Sequence, residues 1–231
     1  MLDLADHLRP WHELPICVID FETTGPDPNE CAPVEVAVVR FERGEPIARW
    51  SSLVNPVLEI PEEATAVHGI RNEDVANALP YTHLTSAIRV NAGDMLNGAI
   101  PCGYNGDAFD RVVLHRHYHG CDNIATRRDW PWLDPLVMVR HVDPFVKGKG
   151  RHKLAAACDR HGIELALAHR ATADAEACGR LLHAKRIRAA LGDRTIGEVL
   201  RRQRFHAAEQ ERQFQEWLAK QPPQPSEATT P

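Results

Sequence analysis

Ile16-Cys17-Val18-Ile19-Asp20-Phe21-Glu22-Thr23-Thr24-Gly25-Pro26 is the stretch that decides the fold. Its first six residues form a short run, apolar up to Asp20 and then at Phe21, that ends in Thr-Thr-Gly-Pro. This is the pattern of a buried strand stopped by a turn. Asp20 and Glu22 lie two apart on that strand, so their side chains leave the same face. Two carboxylates held on one buried face repel unless a cation sits between them. Hard oxygen ligands of this kind suit Mg²⁺ or Mn²⁺.

Working outward, residues 34–41 and 47–54 are β-rich and separated by Arg43-Gly44-Glu45-Pro46. Turn chemistry that short predicts an antiparallel meander begun by the first strand. Residues 56–77 read as loop and short helix, 81–91 as a helix, 100–104 as a fourth strand and 107–119 as a helix. Asp134-Pro135 has the form of an N-cap followed by proline at the first helical position, opening a helix to about His141. Further helices are expected over 153–161, stopped by Gly162, over 172–191, and over 195–220 with a narrow apolar stripe. Three strands followed by mixed elements predict one central mixed sheet covered by helices. The expected organisation is a lead-in over 1–14, a catalytic domain over 15–191, a C-terminal helix over 195–220 and a disordered tail over 221–231.

The 231 residues are 43% apolar and 26% charged, ordinary values for a globular α/β core. No stretch approaches the roughly 20 apolar residues of a membrane span. The first residues lack the basic start and apolar run of a secretory signal, so a cytoplasmic protein without a membrane partner is expected. Six cysteines then read as reduced thiols, with Cys17 filling core. The net charge of −5 does not advertise nucleic-acid binding, but part of it is the acidic cluster, and local patches outweigh the sum. One such patch is Lys147-Gly148-Lys149-Gly150-Arg151-His152-Lys153, a basic loop able to meet phosphates or to stand as solvated surface.

Two further segments carry acids. Tyr104-Asn105-Gly106-Asp107-Ala108-Phe109-Asp110 sets Asp110 in the first turns of a helix after the fourth strand. His169-Arg170-Ala171-Thr172-Ala173-Asp174 sets a histidine five residues before an aspartate. On one continuous helix that spacing would separate them by about 140°. His169 therefore belongs on the loop before the helix, free to swing, with Asp174 held firm. Acids gathered from three segments around paired cations are a means of cutting phosphodiesters.

In these three segments the chain resembles the DEDDh family of 3′–5′ exonucleases, in the ribonuclease H-like superfamily. The similarity covers residues 15–184, and Val67-His68-Gly69-Ile70 resembles the family's segment that meets the terminal nucleotide. The resemblance implies an α/β fold whose central mixed five-stranded sheet has three antiparallel strands and then parallel ones. It implies two divalent ions, Mg²⁺ or Mn²⁺. Asp20, Glu22 and Asp174 would hold the catalytic ion, Asp20 and Asp110 would serve the second, and His169 would take a proton from the attacking water. Thr23, Val67, His68 and Phe109 would contact the terminal sugar and base. The second motif has three residues between Asn105 and Phe109-Asp110 where many relatives have two. Asp107 is thus an alternative ligand, Asp110 being preferred because it follows the matching Phe.

The function expected is release of nucleoside 5′-monophosphates from single-stranded or frayed 3′ ends. DNA is favoured over RNA because the C-terminal extension resembles one through which proofreading subunits bind a polymerase. An RNA-trimming exoribonuclease and a non-catalytic binding module for nucleic acid or a replication partner are the competing readings. His115, His117, His119 and Cys121 suggest a zinc site, though a histidine-rich helix end explains them better. Trp130 and Trp132 read as a packed loop, with base stacking as the alternative.

Overall fold

The computed structural model describes residues 8–117, 132–165 and 168–221. The opening run forms β1 (Ile16–Thr23). It pairs antiparallel with β2 (Pro33–Glu42), which pairs antiparallel with β3 (Glu45–Asn55). The β2–β3 turn sets Arg43 and Gly44 at φ 52° and 87°, both left-handed as a type I′ hairpin turn requires. A short β4 (Leu79–Pro80) lies parallel to the end of β3, and β5 (Ile100–Cys102) lies parallel to β1. The sheet order is β4-β3-β2-β1-β5. This is the mixed five-stranded sheet expected, with its parallel strands at the two edges.

The pleat divides the sheet into two faces. Ile16 and Val18 of β1, with Ala37, Val39 and Phe41 of β2, pack under α5 (Pro135–Val142), α6 (Leu154–His161), α7 (Ala171–Leu182) and α8 (Lys185–Leu191). Cys17, Ile19 and Phe21, with Val36 and Val38, face α3 (Leu84–Leu96) and α4 (Asp110–His117). Burial on both faces explains why β1 reads as a nearly unbroken apolar run. Each fully buried Val or Ile contributes about 1.5–3 kcal/mol. α1 (Glu62–His68) and α2 (Asn72–Val75) close the β3 end over Val34, Ile60 and Ile70.

Several helix boundaries follow the sequence. Asp134 caps α5 by accepting from the Leu136 N–H, and Gly162 stops α6 in a left-handed conformation. The helix expected over 172–191 is instead two. Ala184 is extended, at φ −57° and ψ 143°. On a straight helix Leu182 and Leu191 would point about 180° apart; the break turns both into one core. α4 begins at Asp110, three residues later than expected, because residues 103–109 make a tight turn. A Cβ on Gly106 would sit 2.5 Å from the Gly103 Cα, an approach that only glycine permits.

A capping box of Thr195 and Glu198 opens α9 (Ile196–Leu218). Its first turns bury Ile196, Val199, Leu200 and Gln203. The Gln203 amide donates to the Trp132 carbonyl and accepts from the Asp134 N–H. Farther on, Phe214, Trp217 and Leu218 are exposed. Trp11, fully buried, ties the N-terminal segment to the α8–α9 turn through Arg194 and Gly192. Among the described residues no helix is long and apolar enough to cross a membrane. Cys17, Cys31, Cys102, Cys158 and Cys178 are buried free thiols. Residues 1–7 of the lead-in, the 222–231 tail, His119, Cys121 and Trp130 lie outside the described residues.

Candidate active site

The site follows from the pleat. The residues after Ile16 and Val18 on the α7 face of β1 are Asp20 and Glu22. Across the ladder Asp20 faces Ala37, and Glu22 faces Glu35. The small Ala37 leaves Asp20 uncovered on its β2 side, and α7 brings Asp174 over the gap. One carboxylate oxygen from each of Asp20, Glu22 and Asp174 lies within 4.8 Å of the other two. Around an octahedral Mg²⁺ adjacent oxygens are about 3 Å apart and opposite ones about 4.2 Å apart, so the three can share one such ion once their side chains close in on it. Asp174 Oδ1 is buried without a hydrogen-bond partner, as an oxygen reserved for a cation would be.

Electrostatics agree with the geometry. Burial raises the pKa of Asp20, and the charges of Asp110, Asp174, Glu22 and Glu35 push it the same way. Burial lifts Glu22 to about 7, with Asp174 and Glu35 adding to it and Arg170 opposing. Burial also raises Asp174, against the pull of the His169 backbone N–H. A cluster of acids that cannot all ionise alone is a site arranged around positive charge.

Asp110 reaches the cluster from the other face of the sheet. It is 3% exposed, and its Oδ1 accepts from the Phe21 N–H at 3.0 Å. Burial lifts it to about 8, although that N–H stabilises the anion. It is therefore not one of the three converging oxygens but is the strongest single charge acting on Asp20. Asp107 is placed differently. It pairs with Arg111 at 2.8 Å and accepts from the Trp132 N–H at 3.4 Å.

His169 sits before α7 at φ 64°, exposed, with its backbone N–H donating to Asp174 Oδ2 at 3.1 Å. His68 is buried at the end of α1, its Nδ1 accepting from the Ile70 N–H at 3.0 Å. Burial lowers its pKa, and the charges of Glu35 and His169 both act on it, which brings the α1 end to the site. Val67 beside it is exposed. The Thr23 hydroxyl donates to the Gly25 carbonyl at 2.8 Å, so it shapes the turn. Phe109 is half-buried against the α3–α4 core. Trp132 is fully buried, a core residue rather than a stacking platform.

Glu35 is the residue that sequence reasoning missed. It is 4% exposed, yet it is not among the converging oxygens. Its carboxylate accepts from Arg170 Nη2 at 3.0 Å, Arg170 Nε at 3.3 Å and the Ala171 N–H at 3.2 Å. Glu35 thus caps α7 and fixes the residue that follows His169. The signal was available: it is the one acid inside the apolar run Val34-Glu35-Val36-Ala37-Val38-Val39, and it shares the inward face of Ala37 and Val39.

The family model described as Exonuclease matches residues 17–182. The PolC-type DNA polymerase III of Latilactobacillus sakei is 31% identical over 166 residues, which is 72% of this chain and 11% of that polymerase. The same enzyme of Streptococcus pneumoniae is 28% identical over 165 residues, 71% of this chain and 11% of its own. The chain thus spans about a ninth of the length of these relatives. Among solved structures, E. coli exonuclease I in complex with a dT13 oligonucleotide superposes with a TM-score of 0.61 at 19% identity. That superposition covers 77% of this chain and 42% of the other. Exonuclease I of Methylocaldum szegediense gives 0.57 at 23%, covering 76% and 42%. At such identities these two speak to the fold alone. The family model encloses Asp20, Glu22, Asp110, His169 and Asp174, and the chain belongs to the exonuclease family, among its DEDD-type 3′–5′ members.

Proposed function

We propose that this chain is a two-metal-dependent 3′–5′ exonuclease that hydrolyses the 3′-terminal phosphodiester of DNA and releases nucleoside 5′-monophosphates, in proofreading or repair. The observation that carries the reading is the convergence of Asp20, Glu22 and Asp174 within 4.8 Å, all raised in pKa by burial and shared charge. DNA is favoured because the curated relatives are DNA polymerases by name and exonuclease I has been solved with dT13 and dA16 oligonucleotides.

In this reading Asp20, Glu22 and Asp174 would hold one Mg²⁺ or Mn²⁺, and Asp20 and Asp110 would serve a second. Bound there, the ions would supply charge neutralisation at the scissile phosphate and would lower the pKa of the attacking water. His169 would accept that water's proton; its backbone bond to Asp174 holds the loop over the acids while the ring stays free to move. Thr23, Val67, His68 and Phe109 border the terminal nucleotide. The substrate is a single-stranded or frayed 3′ end. The exposed Phe214, Trp217 and Leu218 of α9 are the surface that would meet a polymerase or other protein partner.

The test is digestion of 5′-labelled single-stranded DNA and RNA of one sequence with Mg²⁺, Mn²⁺ or EDTA. A metal-dependent ladder shortening from the 3′ end, absent in Asp20→Ala and Asp174→Ala, is the expected result. His169→Ala should keep the fold and metal binding and slow hydrolysis by about 10²–10⁴-fold; cleavage at the wild-type rate would remove its role as base. Faster digestion of the RNA would move the substrate assignment to RNA trimming. A folded, metal-binding chain that cuts neither would leave a binding module.

A further inference from the structure

Between α5 and α6 the chain forms an arm, residues 143–153, whose base is fixed and whose crown is bare. Asp143 is buried and paired with Arg160, His161 and Arg186. The Val146 N–H returns to the Asp143 carbonyl at 3.0 Å, and His152 Nε2 donates to the Val146 carbonyl at 2.9 Å. Arg160 holds the Arg151 carbonyl at 2.6 Å. On this frame Phe145 is 95% exposed, and Lys147, Lys149, Arg151 and Lys153 are all exposed. No acid among the described residues pairs with any of these four side chains, and none occurs in the 147–153 segment itself. Gly148 and Gly150, at φ 110° and 77°, alternate with the cations. The backbone there bears no side chain to block a close approach.

The arm stands at the acid end of the sheet. β5 runs parallel to β1, so the chain leaves it at the end where β1 carries Asp20 and Glu22. Two residues on, the Tyr104 hydroxyl donates to the His152 carbonyl at 2.7 Å. From Tyr104 the chain continues through Asn105 to Asp110, which is bonded to Phe21. An exposed aromatic ring beside unpaired cations fits a polyanion that also offers flat apolar faces. An acidic peptide would use the cations and leave the ring without a partner.

We propose that residues 143–153 grip single-stranded DNA behind its 3′ end, Phe145 stacking on a base while Lys147, Lys149, Arg151 and Lys153 take phosphates. This rests on the exonuclease reading for its substrate but concerns a surface apart from the acids.

The test is fluorescence anisotropy of a 5′-labelled oligothymidylate of about 16 nucleotides on the full chain. It is run in Ca²⁺ so that binding is read without cleavage. Phe145→Ala should weaken binding at least about 5-fold, and Phe145→Tyr should restore it, because a Tyr ring also stacks. Lys147→Ser with Lys149→Ser should lower the slope of log Kd against log salt by about 0.7 per lysine. Melting temperatures should stay at the wild-type value, since the substituted side chains are exposed. Binding within twofold of wild type in Phe145→Ala, equal binding by the Ala and Tyr variants, or an unchanged salt slope would each overturn the proposal. A wild-type chain that binds the oligonucleotide through this arm yet cuts nothing in Mg²⁺ or Mn²⁺ would sink the exonuclease reading and uphold the arm. A chain that cleaves a nucleotide ester but does not bind the oligonucleotide would do the reverse.

Discussion

Asp110 Oδ1 accepts a hydrogen bond from the backbone N–H of Phe21 at 3.0 Å, so an acid from α4 is fastened to β1 midway between Asp20 and Glu22. The bond is made at the residue that separates the two strand acids. It fixes the distance between the helix and the strand as well as adding a charge.

Asp110→Ala and Asp110→Asn should therefore part company in stability and agree in activity. The alanine leaves the buried Phe21 N–H without an acceptor, at a cost of about 1–3 kcal/mol. The asparagine keeps an acceptor oxygen and has no carboxylate to bury or protonate on folding, so in EDTA it should be at least as stable as wild type. Both should lose hydrolysis if Asp110 serves an ion. Urea unfolding and ladder assays on both variants check this; equal stabilities would mean that the Phe21 bond contributes nothing.

Without metal, stability should fall as pH rises toward 8. Burial lifts Asp110 from 3.8 to about 8 and Glu22 from 4.5 to about 7. The folded chain then holds protons that the unfolded chain has released, and that advantage disappears as pH passes through the folded values. His183, which burial holds down at about 4, acts in the opposite sense but has finished by its ordinary value of 6.5. Between about pH 6.5 and 8 the loss should be about 3 kcal/mol, at about 1.4 kcal/mol per proton and pH unit, with Asp134, which burial lifts to about 7, adding to the two site acids. Mn²⁺ should flatten it by displacing the protons. Urea midpoints in EDTA that rise over this range would contradict the reading.

Glu35 and Arg170 should behave as one unit. Glu35→Gln weakens the hold on Arg170 and the α7 start, and so on the arm bearing His169. A fall in kcat of about 10–100-fold, with KM and Mn²⁺ affinity within twofold, is expected. Adding Arg170→Met should do little more, giving a coupling of about 0.5–3 kcal/mol in a double-mutant cycle. Additive losses would show two independent roles.

Gly179 lets α7 lie close on β2. A Cβ there would fall well inside contact with the Phe41 ring, which is itself 1% exposed. Gly179→Ala should cost about 1–3 kcal/mol through overpacking, read as a lower urea midpoint. Phe41→Leu in the same chain should recover part of that loss. No shift in the midpoint would mean that α7 can lift from the sheet freely.

By itself the sequence determined the β1 strand and its two same-face acids, because side chains on a strand alternate with a fixed period. It also determined the cap of α5 and the stop of α6, both local chemistry written in neighbouring residues. The break at Ala184 was decided only by the tertiary structure, since Leu182 and Leu191 had to enter one core. The late start of α4 came from the contact of Gly103 with Gly106. Glu35 took its place at the site through the ladder that sets it opposite Glu22, and through an arginine 135 residues away. Phe145 looked like any aromatic residue until the fold left it in solvent at the acid end of the sheet. Periodicity and capping are properties of consecutive residues. Which acids share a cation, and which rings remain uncovered, depends on segments far apart in the chain, and only packing brings those together.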